Sequence, residues 1–193
     1  YDSLLVGCGL GQAPTTREFL ERLLYSGASL PPTVIDADGL NFLSGAQDRA
    51  WWERLPSRVI LTPHLGEMAR LTGLPVETVQ QDRIRKSSES AMTWDKIVVL
   101  KGAYTVVSFP SGQAMLSPFA NPGLASAGTG DVLAGTIAGF LAQGLGPENG
   151  ATLGVYVHGL AGEKVRAELG DTGMLASDLL PALPRTIMEL KLG

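Results

Sequence analysis

Short apolar runs that stop abruptly at a turn constrain this chain most. Ser3 to Val6 ends at Gly7, and Thr33-Val34-Ile35 ends at Asp36. Arg58 to Leu61 ends at Thr62-Pro63, and Lys96 to Leu100 ends at Lys101-Gly102. Runs this short and this apolar read as strands buried on both faces. Amphipathic helical patterns separate the early ones. The first runs from Thr15 or Thr16, as a cap, to about Tyr25. A second opens at Thr62-Pro63, read as an N-cap followed by proline at the first helical position, and Gly73 closes it. A third extends from Pro75 to about Trp94. Trp51 and Trp52 fall in a short helical or irregular piece. Thr105 to Phe109 and Gln113 to Leu116 flank Pro110-Ser111-Gly112 as a hairpin. From Gly128 onward the pattern is helical: Asp131 to Gln143, Pro147 to Leu169, and a short pair around Ser177 to Leu180 and Pro184 to Leu190. Strand-helix alternation of this kind gives an α/β fold with a mainly parallel central sheet flanked by helices.

With 193 residues, the chain is long enough for one sizeable core and short for two. There is no internal repeat or linker, so 1–193 is taken as a single domain. The 24 glycines and 12 prolines cluster where apolar runs end, which marks tight strand-to-helix turns rather than low complexity. A net charge of −4 without a basic block gives no electrostatic footprint for nucleic acid. The stretch Arg83 to Lys86, bracketed by Asp82 and Glu89, reads as a solvated helix face. Val132 to Leu145 is the most apolar long stretch, but Gly135, Gly139 and Gly144 interrupt it and it is too short to span a bilayer, so no membrane is expected. The N-terminal residues show no signal-peptide pattern. One cysteine, Cys8, excludes an intrachain disulfide and fits a reducing, cytoplasmic setting. It reads as a small apolar residue after a strand.

In parallel sheets, ligands bind beyond the carboxyl ends of the strands. The motifs of interest sit there. Gly128-Thr129-Gly130-Asp131 opens an apolar helix, after Asn121-Pro122-Gly123. Backbone N–H groups at a helix start converge on an anion, and glycines let it approach. A carboxylate in that turn can take a hydroxyl proton while the amides hold a transferring phosphoryl group. The bland alternative is a helix cap, for which aspartate is common. Lys101 at a strand end is either a phosphate-binding point charge or an ordinary surface lysine. Gly7-Cys8-Gly9-Leu10-Gly11 lacks full dinucleotide-turn spacing, and no Walker A loop is present. His64 is placed to meet a phosphate or ribose, with Glu67 as a capping-box partner. Asp36, Asp38 and Asn41 either line a site or hold turns. His158, inside a helical pattern, reads as a packed, hydrogen-bonding histidine. No set of His, Cys and carboxylate has zinc spacing, so no protein-held metal is expected.

Taken in order, these motifs resemble those of the ADP- or ATP-dependent NAD(P)H-hydrate dehydratases, which have a ribokinase-like, carbohydrate-kinase-related fold. The carrying stretches are Gly7 to Gly11, Asp36 to Asn41, Thr62 to Glu67, Val99 to Thr105, Asn121 to Leu133, His158 to Glu163 and Ala176 to Leu179. The resemblance implies phosphorylation of the ring hydroxyl of the S epimer of hydrated NADH or NADPH, followed by loss of phosphate. Asp131 would be the general base, with Gly128, Thr129 and Gly130 in the catalytic turn and the amides of Ala127 to Gly130 as the anion hole. Lys101, Gly102, Ala103, Tyr104, Thr105 and Gly130 would bind the nucleotide, ATP or ADP, with Mg²⁺ on its phosphates. Gly9, Gly11, His64, Asn121 and Asp131 would bind the hydrated cofactor. The resemblance also implies a homo-oligomer and an epimerase domain, fused or separate. Cys8 stands where that family usually has proline, Ala127 where glycine is usual, and Leu124 where methionine is usual. Family members carry β/α units ahead of the glycine turn that this sequence does not contain. A small-molecule kinase of the same fold and a non-catalytic nucleotide-binding module are the alternatives.

Overall fold

The computed structural model describes residues 1–45 and 50–192. Its sheet has six strands in sequential order: β1 (Leu4–Val6), β2 (Thr33–Ile35), β3 (Val59–Leu61), β4 (Ile97–Leu100), β5 (Val106–Ser108) and β6 (Ala114–Leu116). The first four run parallel, and β5 and β6 continue antiparallel as the expected hairpin. Val34 pairs with Leu5 on one side and Ile60 on the other. β2, β3 and β4 are buried throughout, which is why their sequences are unbroken apolar runs.

The strand period of two divides the core between the two faces of the sheet. Ile35, Leu61, Val98 and Leu100 pack with Leu20, Leu24, Leu43, Met68 and Trp94. These come from α1 (Pro14–Leu24), α2 (Asp38–Ser44), α3 (Leu65–Thr72) and α5 (Arg83–Trp94), with Val79 of α4 (Val76–Gln81) beside them. Val34, Ile60, Ile97 and Val99 pack on the opposite side, against Leu133, Ile137, Leu141 and Val155. Those belong to α6 (Thr129–Ala142) and α7 (Pro147–Leu169). The two helices approach so closely that a Cβ on Gly154 would lie 2.5 Å from Ile137 Cγ1. A final helix, α8 (Ala176–Leu192), rests on α7 through Leu179 and Ala182.

Several helix ends differ from expectation. α1 begins at Pro14 after Ala13, without a side-chain cap; Thr16 Oγ1 instead donates to Leu10 O at 3.1 Å. α3 is capped by His64, not Thr62. The His64 ring and Glu67 form a reciprocal capping box, and Gly73 closes the helix in the left-handed region. The long helix expected after Pro75 is broken at Asp82, where φ −141° and ψ 59° leave the helical region. The two short terminal helices are one, α8, which carries Pro181 and Pro184 internally. Each proline forfeits a backbone bond, and the buried Leu179, Ala182 and Thr186 supply the packing that offsets it. Among the described residues no helix is long and apolar enough to cross a membrane.

Candidate active site

The turns after β1 to β4 meet at the carboxyl edge of the sheet. Asp36, just past β2, is 1% exposed. Its Oδ1 accepts from Lys101 Nζ at 2.6 Å and from the Ala37 amide at 2.9 Å. Lys101, just past β4, also lies 3.8 Å from Glu67 Oε2. Glu67 Oε2 in turn accepts from the His64 amide at 2.8 Å. A second bond, from the Lys101 amide to Pro63 O at 2.8 Å, fastens the β4 turn to the β3 turn. Thus Lys101 is held between two buried carboxylates from neighbouring turns. It is not a surface lysine.

The glycine turn at the start of α6 stands over this pair. Gly128 is in the left-handed region at φ 85°. A Cβ on Gly130 would lie 3.3 Å from Lys101 Nζ, so the bare backbone leaves the space in front of the lysine open. Thr129 anchors the turn rather than facing it. Its Oγ1 donates to Leu124 O and Ser126 O, and its amide donates to Ser126 O at 3.3 Å. The Thr129 amide is therefore spent within the turn and does not belong to the anion hole. The amides of Gly130 and Asp131 lie in the first helical turn, where helix geometry supplies no carbonyl partner and the macrodipole is positive.

His158 on α7 is 7% exposed and its Nε2 lies 3.0 Å from Thr129 O. Burial pushes this imidazole down to about 4, against the pull of that hydrogen bond, so it is neutral at pH 7. It braces the glycine turn, in keeping with its sequence reading as a packed histidine. A cavity of about 310 Å³ opens beside the turn, lined among others by Lys101, Gly102, Ala103, Thr105, Gly130 and His158. This is near the lower end for small-molecule sites. Of the residues expected to hold the nucleotide, only Tyr104 is absent from the lining. Its side chain is half-exposed, and its amide closes the turn onto Phe119 O at 2.8 Å. Asn121 lines the same cavity, and its side chain is engaged with backbone. Its Nδ2 donates to Gly162 O and its Oδ1 accepts from the Gly123 amide, each at 2.9 Å, so it ties the Pro122–Ala125 turn to α7.

Cys8 of the Gly7 to Gly11 turn lies beside Asp131. A Cβ on Gly7 would lie 1.8 Å from Asp36 O, so glycine there lets the turn after β1 pack closely on the turn after β2. Gly9 and Gly11 take φ of 68° and 73° with open space beside them. Asp38 holds the turn by accepting from the Gly11 amide at 2.8 Å, and Asn41 accepts two bonds from Arg70. His64 remains half-exposed at the rim. Its Nδ1 is committed to the cap, which leaves Nε2 carrying the proton, 3.4 Å from Glu67 Oε1.

Two residues here were missed in the sequence. Arg83 is not part of a solvated face; Arg85 is, paired with Asp82 and Glu89, while the mostly buried Lys86 pairs with Glu89. Arg83 turns inward, donating to Ala103 O at 2.6 Å and to Leu100 O at 3.4 Å. It clamps the turn that lines the cavity. Burial pushes its guanidinium down from the ordinary range. No local pattern separates it from its basic neighbours. Cys8 is more than a filler against the core. Its sulfur and carboxylate oxygens of Asp36 and Asp131 all lie within 4.8 Å of one another. Burial, followed by those two charges, pushes the thiol up to about 12.

Comparisons with known proteins show the family. Residues 1–185 match the family described as NAD(P)H-hydrate dehydratase. The chain belongs to that family. A bifunctional NAD(P)H-hydrate repair enzyme, Nnr, from Moorella thermoacetica is 42% identical over 190 residues, covering 98% of this chain and 35% of that protein. An ADP-dependent (S)-NAD(P)H-hydrate dehydratase of Bacillus subtilis is 35% identical, covering 96% of this chain and 63% of the relative. A crystal structure of the ADP/ATP-dependent enzyme from that organism, co-crystallised with ATP and Mg²⁺, superposes with a TM-score of 0.84 at 34% identity, over 98% of this chain and 65% of that one. A ribokinase-like superfamily protein from Enterococcus faecalis follows, with a TM-score of 0.77 at 30% identity over 97% of this chain and 63% of that one. The fold is ribokinase-like. The chain spans about a third of the length of the bifunctional relative and under two thirds of the dehydratase.

Proposed function

We propose that this chain catalyses the nucleotide-dependent dehydration of the S epimer of hydrated NADH or NADPH. One observation carries the reading: Asp131, in the first turn of α6, lies beside Cys8 of the Gly7 to Gly11 turn, and its neighbour Gly130 lines the Lys101 cavity. A carboxylate there can meet both an acceptor hydroxyl and an incoming phosphoryl group. The family membership and the names of the relatives support the substrate.

In this mechanism the nucleotide enters the cavity along Lys101 to Thr105, with its terminal phosphate over Gly130. The absence of a side chain at Gly130 provides the cradle, and Lys101 lies behind it as a fixed positive charge. The amides of Gly130 and Asp131 stabilise charge on the transferring phosphoryl oxygens. Asp131 accepts the proton of the ring hydroxyl as its oxygen attacks, and the nucleotide leaves one phosphate shorter. The C–O bond of the phosphate ester then breaks and phosphate departs with the bonding pair. The adjacent ring carbon gives up its C–H proton to phosphate or solvent, and that C–H pair forms the returning ring double bond. The balance is hydrate plus ATP to reduced cofactor, ADP and phosphate, or the same one phosphate lower with ADP as donor. Mg²⁺, if bound, would be held mainly by the donor phosphates, since it needs few protein ligands, and would supply positive charge against them. Gly9, Gly11 and the Nε2–H of His64 would contact the hydrated dinucleotide. Asn121 and Thr129 would act by holding the turn rather than by touching ligand.

The reading treats 1–193 as one catalytic domain at work in the cytoplasm, as a homo-oligomer. It expects a separate or fused epimerase activity to supply the S form, in line with the bifunctional relatives. The test is direct. The chain is incubated with hydrated NADPH, Mg²⁺ and either ATP or ADP while NADPH absorbance is followed. Absorbance should recover with at least one donor. Tight nucleotide binding without recovery supports the binding-module alternative and overturns this one.

A further inference from the structure

The thiol of Cys8 and the carboxylates of Asp36 and Asp131 come from three separate turns, yet their ligating atoms lie within 4.8 Å of one another. The Asp36 carboxylate is 1% exposed, and only its Oδ1 is engaged. Its Oδ2 is buried and has no hydrogen-bond partner. A buried carboxylate oxygen with nothing to accept is costly, and the residue that carries it belongs to the three-residue group. We propose that Cys8, Asp36 and Asp131 bind one thiophilic divalent cation, of the zinc or cadmium class, which takes Asp131 out of use as a base.

Ligand atoms sharing a tetrahedral zinc are about 3.5 Å apart, given Zn–S near 2.3 Å and Zn–O near 2.0–2.2 Å. Closing the observed spread requires a shift of about 1 Å. Cys8 can supply it: Gly9, beside it, has no neighbouring atoms within 4 Å of a Cβ position. Asp131 is exposed and already meets the Cys8 thiol through a side-chain hydrogen bond. Two carboxylates around one sulfur create a negative potential that favours a dication, with Lys101 offsetting part of the Asp36 charge. A thiol ligand selects zinc or cadmium over magnesium, which prefers oxygen. On binding, the Cys8 S–H bond breaks, the sulfur lone pair goes to the metal and one proton passes to buffer. Three protein ligands leave a fourth position for water. The inhibitory consequence rests on the reading of Asp131 as the base; the binding itself does not.

Cys8 is the chain's single cysteine, so any thiolate-to-cadmium charge-transfer absorbance arises from it alone. The chain, free of nucleotide, is titrated with Cd²⁺ while that band and proton release are followed. The expected result is saturation at one Cd²⁺ per chain, with affinity falling roughly tenfold or more in Asp131→Asn, since a first ligand matters at least as much as an outer one. Asp36→Asn should behave alike, and the exposed Asp131 carries the test if Asp36→Asn folds poorly. Unchanged affinity in Asp131→Asn would mean a lone thiol is binding, and overturns the proposal. So does saturation at half a cation per chain, or displacement of cadmium by comparable Mg²⁺. Zn²⁺ should then inhibit turnover of the unmodified chain more strongly than that of Cys8→Ser. Inhibition without the absorbance band would also count against the site. The absorbance result stands whether or not the chain proves to be a dehydratase.

Discussion

Replacing Asp36 by Asn isolates the charge that organises the site. Asn keeps an acceptor at the Oδ1 position, so the bonds from the Ala37 amide and Lys101 Nζ survive. The new amide group falls at the Oδ2 position, which has no partner to lose. What disappears is the negative charge 2.6 Å from an ammonium whose side chain is 17% exposed. Removing one partner of a buried pair costs about 3–5 kcal/mol. Two features reduce that here: the surviving hydrogen bonds, and Glu67, still 3.8 Å from Lys101 as a second counter-charge. The expected loss is therefore about 2–3 kcal/mol, or about 5–10 °C in Tm for a chain of this size. Equilibrium unfolding in guanidinium should show a lower midpoint with an unchanged slope. Removing the orphaned charge as well, in Asp36→Asn with Lys101→Met, should recover about 1–3 kcal/mol relative to additivity. A loss below about 0.5 kcal/mol, the value of an exposed ion pair, would refute the reasoning.

Other substitutions separate positioning from contact. Arg83→Met should raise the KM for nucleotide about tenfold with little change in kcat, because a charged hydrogen bond of about 1.5–3 kcal/mol no longer holds the Lys101 to Tyr104 turn; a kcat loss at constant KM would contradict it. Gly130→Ala, in helical backbone, should leave stability within about 1 kcal/mol but weaken nucleotide binding at least about tenfold, measured by calorimetry, because its methyl would sit 3.3 Å from Lys101 Nζ. His158 is lowered from 6.5 to about 4 in the fold. The unfolded chain therefore binds the extra proton between those values, and stability falls as pH falls from 6.5 toward 4, by roughly 3 kcal/mol. The difference in unfolding free energy between the unmodified chain and His158→Gln should shrink over that window, and a constant difference would exclude a buried neutral imidazole.

Strands were legible because burial on both faces leaves unbroken apolar runs, and the motifs at their carboxyl ends followed from the α/β order. The glycine turn before α6 was legible because glycines and a first-turn aspartate are local signals. Helix ends were less so. Thr62 looked like a cap, but His64 accepts the amides of Gly66 and Glu67 instead. The expected break between Leu180 and Pro184 is absent, because packing on α7 overrides it. Least legible were relations among distant residues. Lys101 with Asp36, Arg83 with Ala103, and Cys8 with Asp131 are separated widely in sequence, and only the fold brings them together. The backbone partners of Asn121, Gly162 and Gly123, likewise do not show in sequence.

The central claim is that Asp131 takes the hydroxyl proton while the turn around it binds phosphate. Asp131→Asn removes the base and keeps the shape and the amides. Turnover of hydrated NADPH, followed as returning absorbance under saturating nucleotide and Mg²⁺, should fall about 10²–10⁴-fold. Nucleotide affinity, measured on the same preparation, should change little. Turnover within a few-fold of the unmodified chain would contradict the account.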